Sequence, residues 1–167
     1  MLNFIAQRRH DECGLACMLM ILQYYDCPLN YLALRFLSPK QPSFYDMHYL
    51  FCLLGLTSSS YLVKDCALKR IDTLPVILHL RGFFACHYVV LEKIEGKKAL
   101  VANPAAFGKR FMSLKKLQRV WTGYYLVVKG PKISSKKLPA SLAYPWRFLA
   151  STLLLTALFF FLFCWLF

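Results

Sequence analysis

The 167 residues of this chain allow one domain with a core and little beyond it. Hydrophobic residues make up 58%, more than a soluble domain usually carries, and the net charge is +13. The basic residues fall in scattered pairs (Arg8-Arg9, Lys97-Lys98, Lys115-Lys116, Lys136-Lys137) with no nucleic-acid motif around them, so the charge does not point to RNA or DNA.

The N-terminus, "MLNFIAQRR", has no positive region ahead of a long apolar stretch, which excludes a signal peptide. Residues 12–25 then read as a helix apolar on nearly every face, hence a central, buried one. "CPLNYLALRFL" predicts a second helix with Pro28 in its first turn. "SFYDMHYLFCLLG" predicts a third, with Ser43 as N-cap, Asp46 at the capping-box offset and Gly55 past its end. The pattern then changes to short β-branched and aromatic runs: "LPVILHL", "HYVVLEKI", "KKALVAN" and "GYYLVV" read as strands. "SLKKLQRV", capped by Ser113, is a short helix between the last two. Helices first and strands second give an α+β fold, with helices packed on an antiparallel sheet.

Residues 129–147, rich in Pro, Ser and Lys, read as a basic linker. Residues 148–167, "FLASTLLLTALFFFLFCWLF", carry no charge. As a helix at ~1.5 Å per residue they would span ~30 Å, the hydrocarbon thickness of a bilayer. All 21 Lys and Arg precede this run, five of them close to it, so residues 1–147 should lie in the cytoplasm. Trp146 and Trp165 would then sit at the two interfaces. In that compartment the seven cysteines stay reduced, and most read as small buried hydrophobes. No CxxC pair supports a metal site, and no cofactor is expected.

One cysteine has a chemical context. Asp11 is a good N-cap, which would start the first helix near Glu12 and Cys13. A thiol in a first helical turn feels the positive end of the macrodipole, which lowers its pKa. Gly14 removes a side chain beside it and would let a substrate backbone approach. On this stretch alone, Cys13 reads equally well as one more buried cysteine. A nucleophile needs a base, usually His, oriented by a third group. Of the four histidines, His10 is too near Cys13 in sequence, His48 falls on a helix surface and His79 lies inside an apolar strand. His87 opens a strand that turns back at "EGKK". A hairpin loop at Glu95-Gly96 would bring His87 within one register step of Asn103, whose amide could aim the imidazole. Gln7, six residues before Cys13, is a candidate oxyanion donor.

The set Gln7, Cys13, His87 and Asn103, carried by "QRRHDECGLAC", "HYVVL" and "NP", resembles the papain-like cysteine peptidases, and within them the C39 bacteriocin-processing peptidases. The resemblance covers about residues 5–128 and implies a domain of residues 1–128 followed by the linker and the span. It implies a cysteine endopeptidase that cuts leader peptides after a double-glycine motif, coupled to export by an ABC transporter. By carry-over, Cys13 attacks the carbonyl, His87 is base and then acid, and Gln7 supports the oxyanion. A tight cleft at the nucleophile and an apolar groove for an amphipathic leader helix follow. The implied partners are the precursor peptide, the transporter's membrane and nucleotide-binding parts, and the membrane itself. The implied location is the bacterial cell membrane, single-pass, with the peptidase domain in the cytoplasm.

Two features depart from the family pattern. The position of Asn103 is usually Asp; Asn can orient imidazole but does not stabilise imidazolium as a carboxylate does, so weaker activity is expected. The chain also has no Gly-x-x-x-x-Gly-Lys phosphate loop. It is therefore expected to be a separate anchored peptidase beside a transporter, or the front of a longer or split exporter. The alternative to an enzyme is a C39-like domain that only docks substrate.

Overall fold

The computed structural model describes residues 1–130 except positions 28, 66 and 83–85. The basic linker, apart from its first two residues, and the apolar run at 148–167 lie outside the described residues. Among those described, no helix is long and apolar enough to cross a membrane.

Helix α1 runs Cys13–Tyr24, and every residue from Cys13 to Leu22 is buried. Its sequence is apolar all round because neighbours cover it all round. Helix α2, Tyr31–Leu37, starts later than its Pro suggested. Asn30 is the cap, accepting from the Ala33 N–H at 2.8 Å. Helix α3, Phe44–Leu53, has the expected capping box between Ser43 and Asp46. It ends with Gly55 at φ 81, and the Leu56 N–H returns to the Phe51 carbonyl at 2.9 Å.

Six strands follow: β1 (Thr57–Leu62), β2 (Val76–Leu80), β3 (His87–Glu95), β4 (Lys98–Ala102), β5 (Lys109–Ser113) and β6 (Trp121–Lys129). Helix α4, Leu114–Val120, precedes β6 and is capped by Ser113. All pairings are antiparallel, in the order β1-β6-β2-β3-β4-β5. The α+β expectation therefore holds, with two additional strands, β1 and β5, at the sheet's edges. The central strands alternate between two cores. Ile77, Val90, Leu126 and Val128 pack with α1, α2 and α3, while Leu78, Val89, Leu91 and Val127 pack with Leu117 of α4 and Trp121.

Two details position the site. The β3–β4 loop is Gly96-Lys97, one residue later than predicted, because Glu95 pairs with Lys98. Register shifts between Leu91 and Lys93, so Glu92 is an extra residue on β3. The Glu92 carboxylate accepts from the Leu2 N–H at 3.1 Å and from Lys109 Nζ at 2.9 Å, and Lys109 also donates to the Leu2 carbonyl at 2.8 Å. This network fastens the N-terminal segment, which leads to Gln7, against the sheet.

Candidate active site

The site forms where the start of α1 meets the start of β3. Cys13 is the first residue of α1 and 8% exposed. Its predicted cap is not realised: Glu12 holds the N-cap position with no side-chain capping bond, and Asp11 Oδ1 is buried without a partner. Glu12 acts elsewhere. Though 2% exposed, it accepts from the Tyr31 hydroxyl at 2.7 Å and pairs with Arg35 Nε at 3.3 Å. The Tyr31 oxygen in turn accepts from the Arg8 N–H at 3.3 Å, and the Arg8 guanidinium lies 4.4 Å from the centre of the Tyr31 ring. Burial first, and then the bond to Glu12, push the Tyr31 phenol up to about 12. The acidic residue before the cysteine thus pins the turn that carries Cys13 to α2.

Cys13 and His87 interact closely enough that each shifts the other's titration. Burial raises the Cys13 thiol, but bonds from His87 and the Tyr88 backbone, the imidazolium charge and the Gly14 backbone outweigh it, and the net shift is below the usual thiol value. His87 shifts the opposite way. Burial lowers it, while bonds to Cys13 and Asn103 and the thiolate's charge raise it overall. Both shifts favour a thiolate–imidazolium pair.

His87 Nε2 lies 2.7 Å from Asn103 Oδ1. The same oxygen accepts from the Ala105 N–H at 3.0 Å. A backbone N–H can only donate, so the amide oxygen is fixed on that side, and His87 must donate from Nε2. In the neutral ring Nδ1 is then the bare nitrogen, available to take the thiol proton. The pair meets just beyond the last β3–β4 pairing, Val90 with Ala102, rather than as directly opposed residues.

Gln7 joins through its backbone: its N–H donates to the Pro104 carbonyl at 3.0 Å, and its own Oε1 is buried without a donor. Of the remaining histidines, His10 lines the cleft at Cys13, and the other two lie elsewhere. Exposed His48 bonds Ser58 at 2.9 Å, and His79 bonds Thr122 at 3.0 Å. Of the described cysteines, Cys17 and Cys27 are buried with Cys13, while Cys52 and Cys86 are exposed. Among the described residues, no group of three or more His, Cys, Asp or Glu is placed to hold a metal.

A cleft of 280 Å³ opens at Cys13, walled by Asp11, Gly14, Gln41, Pro42 and Tyr88. Gly14 serves packing as well as access. A Cβ there would come within 2.8 Å of Pro42 Cγ and 2.9 Å of Met47 Cε. The Pro42 wall had no local signal in the sequence, because it arrives from the α2–α3 connection. Tyr88 was signalled only by adjacency to His87. Burial, then nearby thiolates, push its phenol up to about 12, so it stays neutral.

The model of the peptidase C39 family matches residues 1–132. The chain belongs to the peptidase C39 family. The lactococcin-G-processing and transport ATP-binding protein of Lactococcus lactis subsp. lactis is 31% identical over 141 residues. That match covers 81% of this chain and 20% of the relative, so the chain spans about a fifth of that protein's length. Among solved structures, a double-glycine-motif protease from an AMS/PCAT transporter, in complex with its leader peptide, superposes with a TM-score of 0.70 at 27% identity. It covers 77% of this chain and 91% of that one. The peptidase domain of Streptococcus ComA shares the fold at 20% identity, with a TM-score of 0.69 and coverage of 78% and 99%. This C39 domain is therefore an α+β papain-like unit, with its helices packed on an antiparallel sheet.

Proposed function

We propose that this chain is a cysteine endopeptidase that cuts leader peptides after a double-glycine motif, with Cys13, His87, Asn103 and Gln7 as its machinery. The observation that carries this reading is the His87–Asn103 hydrogen bond beside Cys13, which leaves the ring's other nitrogen bare, together with the lowered Cys13 thiol. Nδ1 of His87 takes the thiol proton, and the sulfur attacks the scissile carbonyl. The oxyanion forms beside the Cys13 N–H and the Gln7 amide. His87 then protonates the leaving amine, and water releases the thioester with His87 again as base.

The names of the relatives supply the substrate class. One processes lactococcin G and one cuts at a double-glycine motif. By the same likeness, we propose that the domain works in the cytoplasm beside an ABC exporter, held at the bacterial membrane by residues 148–167. Asn103, where a carboxylate is usual, favours a second reading: a weak or inactive domain that docks precursors for the transporter.

Incubation with a precursor peptide bearing a Gly-Gly junction tests the first reading. Cleavage after the second glycine is expected, with none by Cys13→Ala. Equal cleavage by both proteins would reject the mechanism, and binding without cleavage by either would support the docking reading.

A further inference from the structure

The reaction proposed above leaves one carboxylate in the cleft unused. Asp11 lines the cleft with Cys13, Gly14, Pro42 and Tyr88. Its Oδ1 is sealed from solvent and has no hydrogen-bond partner. The fold does not claim it, since α1 starts beyond it without a side-chain cap. The neighbouring acids are both committed: Glu12 to Tyr31 and Arg35, and Asp46 to Ser43. A buried acceptor left without a donor destabilises the free chain, and a donor arriving in the cleft relieves it.

A peptide with glycine on both sides of a junction has no side-chain donor there. What it offers is main-chain N–H. We propose that Asp11 is a substrate-binding residue: its half-buried carboxylate turns to bring the unpaired oxygen to a main-chain N–H of the glycine pair, holding the scissile carbonyl in line with Cys13. This inference rests on the peptidase reading and extends it to specificity. A residue lacking that N–H, such as an N-methylated one, leaves Oδ1 unpaired in a closed cleft, so the site discriminates against it.

The test uses the full chain, a precursor peptide with a Gly-Gly junction, and two analogues N-methylated at the first or the second glycine. Asp11→Ala should lower kcat/KM on the parent peptide by about 10- to 100-fold, the range for a hydrogen bond to a charged group. Asp11→Asn keeps an oxygen acceptor at the same place and should recover most of that loss, which separates the contact from misfolding. One analogue should be a poor substrate for the unsubstituted chain and no poorer for Asp11→Ala. Unchanged kcat/KM in Asp11→Ala overturns the proposal, as does a loss that multiplies equally on all three peptides. The same peptides are titrated against Cys13→Ala, with and without Asp11→Ala. If the unsubstituted chain cleaves nothing, the peptidase reading fails, and Asp11 is then judged on affinity alone. Weaker binding of the parent but not of one analogue sustains the contact; equal affinities remove it.

Discussion

His87 donates to an oxygen already occupied by the Ala105 N–H, so its proton arrangement is set before any substrate arrives. The consequence is a pH signature. The Cys13 thiol lies below its ordinary value, so thiolate, and alkylation by iodoacetamide, should set in at lower pH than for a free thiol. His87→Ala removes the bond and the charge that lower it and leaves the burial that raises it. The alkylation midpoint should therefore move up, and the rate at pH 7 should fall with the thiolate fraction. Asn103→Asp should move it the other way, since a carboxylate stabilises imidazolium. Superimposable profiles for His87→Ala and the unsubstituted chain would mean that the ring does not tune the sulfur. The closeness of His87 and Asn103 was legible because a hairpin fixes which residues meet over a short loop, whereas that hairpin says nothing of where Cys13 lies. Asp11 was misread as a cap because a capping rule sees only the local chain, whereas the N-cap position falls to Glu12, which is held by α2.

At the scale of elements, the turn that presents Cys13 is held by a contact between α1 and α2 rather than by a cap. Tyr31 donates to Glu12 and accepts from the Arg8 N–H. Tyr31→Phe leaves both without that partner and should cost about 1–3 kcal/mol in urea unfolding. Its iodoacetamide rate should also drop, as the turn loosens. A loss of stability with no change in Cys13 reactivity would show that the contact is structural only. Glu12 gave no sign of this in the sequence, because its partners lie 19 and 23 residues away, on the next helix. The helices themselves were readable from caps and periodicity. The missed strands, β1 and β5, are sheet edges with exposed residues on both faces, so neither shows the alternation that betrays a half-buried strand. The hairpin register was off by one because a Gly96-Lys97 loop and the extra residue Glu92 cannot be read from hydrophobicity.

For the molecule as a whole, the proposed anchor and the charge act together. The full chain should sediment with membranes and resist extraction by high salt, whereas a chain ending at residue 130 should be released into the soluble fraction. Release of the full chain by salt alone would reduce the attachment to surface electrostatics, which the ~3 Å screening length of about 1 M salt abolishes. Full-chain protein in the soluble fraction throughout would remove the anchor. The expectation of an anchor comes from the sequence alone, and the residues that carry it lie outside those described. An uncharged run of 20 residues preceded by every Lys and Arg is a property of composition and needs no knowledge of contacts.

The bond from the Gln7 N–H to the Pro104 carbonyl joins the N-terminal segment that would steady the oxyanion to the corner that carries Asn103. Under the proposed roles, these two supports cannot drift independently. A displacement of the 103–106 corner would withdraw the imidazole's brace and the amide donor in one movement. Catalytic competence would then vanish as a unit instead of fading by degrees.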